Sequence, residues 1–479
     1  MLFNSLSFLV FFPIVFVIYW FVTNGNLKWQ NILLLVASYY FYACWDYRFL
    51  FLLIFSTGLD FYTGLKMDES VNDQRRRIWF WVSVIINLGF LGIFKYYNFF
   101  IGSFAEGLSR LGIHLNVWTI RVILPVGISF YTFHGLSYVI DIYNRKIKAE
   151  RNFVDYSLFV SYFPLLVAGP IERATHLLPQ VKHERTFDSE NAIRGIELMV
   201  WGFFKKVVIA DSIAVIVNRV FDEYTSYGSV ALIIAAITFS FQIYCDFSGY
   251  SDIAIGTSKL LGIDLIQNFN FPYLSRNIAE FWRRWHISLS TWFRDYLYIP
   301  LGGSKVSRIF SVRNVFIIFL VSGIWHGANW TFIVWGGIHA LLFMPSFLVG
   351  SNRKYKEDIV HQNKWVPSFR DIFQIIITFS VVTFAWIFFR AASLSKAFQY
   401  VTDIIVNKKG RALGLTNVEI ISYFIAFAIF FINSIYRLYR KNNLVKTSRF
   451  LQFTVTFLLL ILITVLGQFS RQSFIYFQF

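Results

Sequence analysis

From end to end, the chain alternates between apolar runs of near bilayer length and short, basic interruptions. A helix needs about 20 mostly apolar residues to cross the roughly 30 Å hydrocarbon core of a membrane. Such runs fall at about 7–23, 31–45, 49–64, 78–101, 120–142, 155–170, 195–220, 230–262, 313–347, 370–390, 418–436 and 450–469, and 313–347 is long enough for two helices. Several are short or interrupted, so the pattern predicts roughly 11–13 transmembrane helices with re-entrant pieces, since irregular backbone at membrane depth must be buried in protein. The fold class that follows is an all-α polytopic membrane protein. No internal repeat, low-complexity segment or soluble domain interrupts it, and residues 1–479 read as one integral domain.

Residues 264–312 depart from the pattern. They hold Asn268-Phe269-Asn270-Phe271-Pro272-Tyr273, Trp282-Arg283-Arg284-Trp285 and Tyr298-Ile299-Pro300-Leu301-Gly302-Gly303-Ser304. Pro and paired Gly punctuate helices, while Trp, Tyr and Arg favour the membrane interface. Short amphipathic or re-entrant helices on the cytoplasmic side are predicted here.

Composition narrows the class. Of 479 residues, 56% are hydrophobic and 15% charged, and the mean hydropathy is +0.55. Soluble domains carry about 25% charged residues, so a large globular enzyme is excluded. The net charge of +17 reads as basic loops facing anionic lipid, with no nucleic-acid partner. Positive residues cluster at Lys66–Arg77, Asn144–Arg151, Arg173–Arg185, Arg276–Arg313, Arg353–Lys356 and Arg437–Arg449. Placing most of these in the cytoplasm puts the N-terminus outside, and one span after Arg449 carries the C-terminal tail outside as well. No Lys or Arg precedes the first apolar run and no small-residue cleavage site follows it, so it is expected to remain as a membrane helix. Cys44 and Cys245 are isolated in apolar surroundings and read as inert, and no metal-ligand pattern occurs.

Against this background the histidines carry the most information. His326 lies in Gly323-Ile324-Trp325-His326-Gly327-Ala328-Asn329-Trp330, inside an apolar run. An ionisable group at membrane depth is costly unless buried among partners or beside a water-filled path, and imidazole exchanges protons near neutral pH. Gly323 and Gly327 leave room for another backbone or a thin substrate, Asn329 and Trp330 add polar and aromatic wall, and Trp325 is a further candidate for the tunnel lining. His286 sits upstream in Phe281-Trp282-Arg283-Arg284-Trp285-His286-Ile287-Ser288. His114, His134, His176, His183, His339 and His361 read as structural histidines.

Three further groups keep two readings each. Asp246, Ser248, Tyr250 and Asp252 form a polar stripe in an apolar run. They are either a tunnel wall or, for the two carboxylates, structural partners of Arg283, Arg284 and Arg294. Arg283, Arg284, Arg294 and Lys305 either bind a phosphate-bearing donor or anchor the interface. In the tail Phe474-Ile475-Tyr476-Phe477-Gln478-Phe479, Tyr476 is either an interfacial anchor or a mobile acyl acceptor that needs a base.

Five blocks in order then form a recognisable set. They are Pro125-Val126-Gly127-Ile128-Ser129-Phe130-Tyr131-Thr132-Phe133, Val167-Ala168-Gly169-Pro170-Ile171-Glu172-Arg173, Asp246-Phe247-Ser248-Gly249-Tyr250-Ser251-Asp252, Trp282-Arg283-Arg284-Trp285-His286-Ile287-Ser288-Leu289 and Trp325-His326-Gly327. Together they resemble the membrane-bound O-acyltransferase family, in its bacterial alginate O-acetylase-like branch. The resemblance implies a ring of transmembrane helices around a central tunnel, with the catalytic histidines in 263–345. It implies His326 as the essential catalytic residue and His286 facing the same tunnel. It further implies acetyl-CoA or another cytosolic acyl thioester as co-substrate, with no bound cofactor. An exported polysaccharide or cell-wall polymer would be the acceptor, reached through an extracytoplasmic SGNH-type partner. Tyr476, in the 449–479 segment of last helix and tail, matches the family's proposed acyl carrier. The location implied is a bacterial inner membrane. The competing reading of the same buried Asp and His residues is a proton-coupled transporter or flippase.

Overall fold

The structure is a computed structural model and describes residues 1–23, 25–120, 124–167, 169–355, 367–441, 448–469 and 474–475. Among the described residues every regular element is helical, and the extended pairing is a single bridge between Tyr227 and Arg411. Eight helices among them are long and apolar enough to cross a membrane: Tyr47–Glu69, Asp73–Ser109, Ser229–Leu260, Arg308–His326, Trp330–Leu348, Phe369–Arg390, Asn417–Lys441 and Arg449–Leu466. Two shorter apolar helices, Leu6–Val22 and Phe153–Leu166, accompany them.

The difference from the eleven to thirteen expected has physical causes. The run at 120–142 becomes a helix only at Ile128–Tyr143, whose 16 residues span about 24 Å, short of the roughly 30 Å core. The run at 195–220 is helical as Ser189–Phe203, a π-helical turn Phe204–Ala210 and Asp211–Asp222, but it carries Lys205, Lys206 and Asp211 in its middle. The polar segment after residue 264 forms short pieces as predicted, Ile278–Arg284, Ile287–Phe293 and the π-turn Arg294–Tyr298.

The chain divides into two compact units, Met1–Ile196 with Ala254–Ile266, and Glu197–Ile253 with Gln267–Phe479. In the first, Tyr47–Glu69, Asp73–Leu91 and Ile128–Tyr143 pack around buried Asp60. Its carboxylate accepts from the Ser83 hydroxyl (2.6 Å) and the Asn87 amide (2.7 Å), which satisfies one oxygen of a group that hydrocarbon would not solvate. Glu172, in the second of the five blocks, accepts the Ile266 N–H (2.7 Å) and bonds His176 (2.7 Å), while its own N–H donates to His134 Nε2 (3.1 Å). His134 and His176 thus belong to the hydrogen-bonded surroundings of Glu172.

In the second unit, Arg308–His326 and Trp330–Leu348 form a tight helical hairpin. Without a hydrophobic drive between helices in lipid, close backbone approach through small residues takes its place. A Cβ on Gly323 would overlap the Phe332 carbonyl, and one on Gly336 would overlap the Phe319 carbonyl. The space at Gly323 and Gly327 that admitted a thin substrate on sequence grounds is filled by the backbone and ring of Phe332.

The hairpin yields a paired prediction. Gly336→Val forces the two backbones apart and is expected to cost about 1–3 kcal/mol. Gly337→Ala meets only the Leu320 side chain at 4.0 Å and should be neutral or stabilising. Thermal unfolding of both variants in detergent checks this; equal melting temperatures would count against hairpin packing as the constraint.

Candidate active site

His326 is the last residue of its helix and is 3% exposed. Its ring centroid lies 5.0 Å from Trp325, 5.0 Å from Trp335, 5.3 Å from Phe389 and 6.5 Å from His286. The two histidines, 40 positions apart in sequence, therefore share one aromatic enclosure. Trp335 comes from the second arm of the hairpin, and Phe389 from Phe369–Arg390.

His286 is fully buried and adopts a φ of +42°, a left-handed conformation that non-glycine residues seldom hold. Its flanks explain how it is held. Ile287 N–H donates to the Asn268 carbonyl (2.9 Å) and Asn270 N–H to the Arg284 carbonyl (3.0 Å). The Ser288 hydroxyl donates to Asn268 Oδ1 (2.6 Å), and Asn268 Nδ2 donates to the Ser251 hydroxyl (2.9 Å). Phe247 packs edge-on at 4.6 Å. Burial pushes this imidazole down to about 3, which favours its neutral form.

The carboxylates of the polar stripe find partners other than the arginines expected. Gly202 and Gly249 meet face to face, each occupying space that the other's Cβ would need. That approach sets the π-turn Phe204–Ala210 against the stripe. Lys205 Nζ reaches Asp252 (2.7 Å) and the Ser248 hydroxyl (2.8 Å), and Lys206 Nζ reaches Asp246 (2.7 Å) and Asp211 (2.8 Å). Lys205 and Lys206 were not singled out from sequence. The available signal was two lysines in one apolar run and two aspartates in the next.

Arg284 instead pairs with buried Glu280 (2.6 Å), and Arg283 donates to the carbonyls of Asn352 (2.7 Å) and Tyr355 (3.1 Å). Arg294 pairs with Asp295 (2.7 Å) at the surface. Asn329 caps Trp330–Leu348 by accepting the Thr331 N–H (3.1 Å), and donates to the Ala392 carbonyl (3.1 Å). Trp285 packs on Trp386 at 5.1 Å, and the Trp282 indole N–H donates to His339 Nδ1 (3.3 Å). His339 is therefore a member of the enclosure, 4.9 Å from Trp335, and more than the lone histidine it looked.

Of the C-terminal tail, the structure describes Phe474 and Ile475. Tyr476, Phe477, Gln478 and Phe479 lie outside the described residues, as does His361. Phe474 and Ile475 are buried. Phe474 packs 4.4 Å from Tyr250 and 6.0 Å from Phe247, and the Ile475 N–H donates to Asp246 Oδ2 (2.8 Å). One aspartate thus receives both a lysine and the tail. Asp246 and Tyr250 end up in this socket, with Phe247 in contact with both Phe474 and His286.

A family model described as MBOAT, membrane-bound O-acyltransferase family, matches residues 144–386, which include both histidines. The chain belongs to the membrane-bound O-acyltransferase family. It is 40% identical over 401 residues to a probable alginate O-acetylase, AlgI, of Pseudomonas aeruginosa, covering 83% of this chain and 74% of that one. It is 35% identical over 435 residues to a peptidoglycan O-acetyltransferase of Helicobacter pylori, covering 85% and 80%. A teichoic acid D-alanyltransferase of Bacillus subtilis is 30% identical over 276 residues, covering 55% and 68%. The chain is a multi-pass membrane O-acyltransferase, which favours acyl transfer over the transporter reading.

The buried lysine supplies a test of the socket. Lys206→Met strands Asp246 and Asp211, and breaking a buried pair from one side costs about 3–5 kcal/mol. Thermal unfolding in detergent should show that loss, with partial recovery in the double variant Lys206→Met/Asp246→Asn. A single variant as stable as wild type would contradict the pairing.

Proposed function

We propose that this enzyme passes an acyl group, most simply acetyl, from a cytosolic thioester such as acetyl-CoA across the membrane to an exported polymer. The observation that carries the reading is the shared aromatic enclosure of His326 and His286, whose neighbour Phe247 also seats the residue two before Tyr476. The relatives named for alginate and peptidoglycan O-acetylation support a polysaccharide or cell-wall acceptor.

In this reading the donor enters from the cytoplasm, its phosphates near exposed basic residues such as Lys305 and Arg308. His326 takes the proton of an acceptor hydroxyl as that oxygen attacks the thioester carbonyl carbon. The tetrahedral intermediate collapses, the carbon–sulfur bond breaks, and the CoA thiolate leaves with the proton from His326. Positioned acid–base help of this kind contributes about 10²–10⁴-fold. His286, neutral and locked by Asn268, orients the thioester. The rings around both histidines keep bulk water from the thioester.

The acceptor hydroxyl is that of Tyr476, which hands the acyl group to an extracytoplasmic SGNH-type partner and so to the polymer. The enzyme sits in the bacterial inner membrane that the family resemblance implies, and both termini face outward, a reading supported by the distribution of basic residues.

Purified enzyme in detergent should release CoA from acetyl-CoA, and His326→Ala should lower that rate by about 10²–10⁴-fold at unchanged folded yield. Wild-type turnover in the variant would rule out the assignment. The relay is tested separately with Tyr476→Phe, which removes only the hydroxyl. Labelled acetyl should no longer reach the exported polymer in cells; undiminished labelling would eliminate Tyr476 as carrier.

A further inference from the structure

Around Trp335, which borders His326, stand three buried hydrogen-bond donors to which the described protein offers no acceptor. They are the indole N–H groups of Trp335 and Trp386 and the Nε2 position of His339. His339 accepts the Trp282 indole N–H on Nδ1 at 3.3 Å, so Nδ1 bears no hydrogen and the neutral ring carries it on Nε2 as a donor. The three rings form a triangle with centroid separations of 4.9 Å (Trp335–His339), 5.6 Å (Trp335–Trp386) and 6.3 Å (His339–Trp386). All three residues are at most 1% exposed. Trp335 lies 5.0 Å from His326.

Buried indole N–H groups ordinarily find partners, and one orphan is tolerable as a packing accident. Three at one place share a cause, namely that the acceptor is not part of the protein. The triangle is uncharged, which suits a neutral carbonyl oxygen that becomes negative only during reaction. An anionic ligand such as phosphate would find no cation among the three.

We infer that Trp335, Trp386 and His339 form the site that receives the acyl donor's carbonyl oxygen and stabilises the oxyanion that develops on it. This rests on the thioester reading above. When the acceptor oxygen bonds to the carbonyl carbon, the π pair moves onto the carbonyl oxygen, where these donors meet it. When the carbon–sulfur bond breaks, the pair returns to re-form C=O, and the thiolate takes the proton held by His326. Donors fixed in a dry, aromatic surrounding act most strongly on charge that appears there, and losing one such donor typically costs about 10²–10³-fold in kcat. Trp282 is then a positioning residue, since it selects the His339 tautomer.

The test uses the full-length enzyme in detergent with acetyl-CoA as the probe. Trp335→Phe and Trp386→Phe keep the ring packing and delete only the N–H. Each is expected to lower kcat at least tenfold with KM for acetyl-CoA within about twofold, where mere loosening of the enclosure would raise KM and lower the melting temperature. The double variant should fall further than either single one. If both variants retain wild-type kcat while His326→Ala is inactive, the inference is overturned and the functional reading stands. If the wild type itself turns over no thioester, the functional reading fails and takes this inference with it.

Discussion

Lys206, held between Asp246 and Asp211, is the interaction on which the second unit depends. A charge without a partner is not viable in a poorly hydrated interior, so burying this lysine commits both carboxylates to fixed positions. The commitment extends to the backbone. The Gly202–Gly249 approach brings the π-turn close enough for Lys205 to take Asp252 and Lys206 to take Asp246. The second oxygen of Asp246 then holds the Ile475 N–H at 2.8 Å. Helix register and tail position thus share one aspartate, and neither can move without leaving a charge unsatisfied.

The same logic separates what was legible in the sequence from what was not. Apolar runs reveal spans because hydropathy is local, and the motif blocks located both histidines because those are short-range patterns. Partner choice is not local. Asp246 and Asp252 had Arg283, Arg284 and Arg294 as plausible mates, yet Arg284 is engaged by Glu280, four residues away on its own helix. Lys205 and Lys206 were hidden because lysines in an apolar run look like an interruption until the opposing aspartates are known. Gly323 announced close approach correctly, but only the structure identifies the approaching group as the Phe332 carbonyl. His339 looked solitary because its neighbours Trp282 and Trp386 are 57 residues upstream and 47 downstream.

Charge and aromaticity are sorted within the second unit. Described cations near the stripe are mostly matched to carboxylates, Lys205 with Asp252, Lys206 with Asp246 and Arg284 with Glu280, while Arg437 donates to the Glu197 carbonyl and lies over the Trp201 ring. The histidines are surrounded instead by Trp325, Trp335, Phe389 and Phe247. Pairing keeps strong fields away from the imidazoles, and the rings keep water away.

That separation bears on how an acyl thioester would be handled. A full positive charge beside the carbonyl would have to be desolvated and would demand its own counter-ion in a low-dielectric site. Neutral N–H donors avoid both costs, and their modest interaction with an uncharged carbonyl grows as negative charge appears on the oxygen. Neutral His286 fits the same scheme, since burial disfavours its imidazolium form. The ion pairs and the uncharged site are therefore two consequences of one constraint: among the described residues of this unit, buried charge is met by a carboxylate or by backbone and ring dipoles, so the reaction's own charge must be met by dipoles as well.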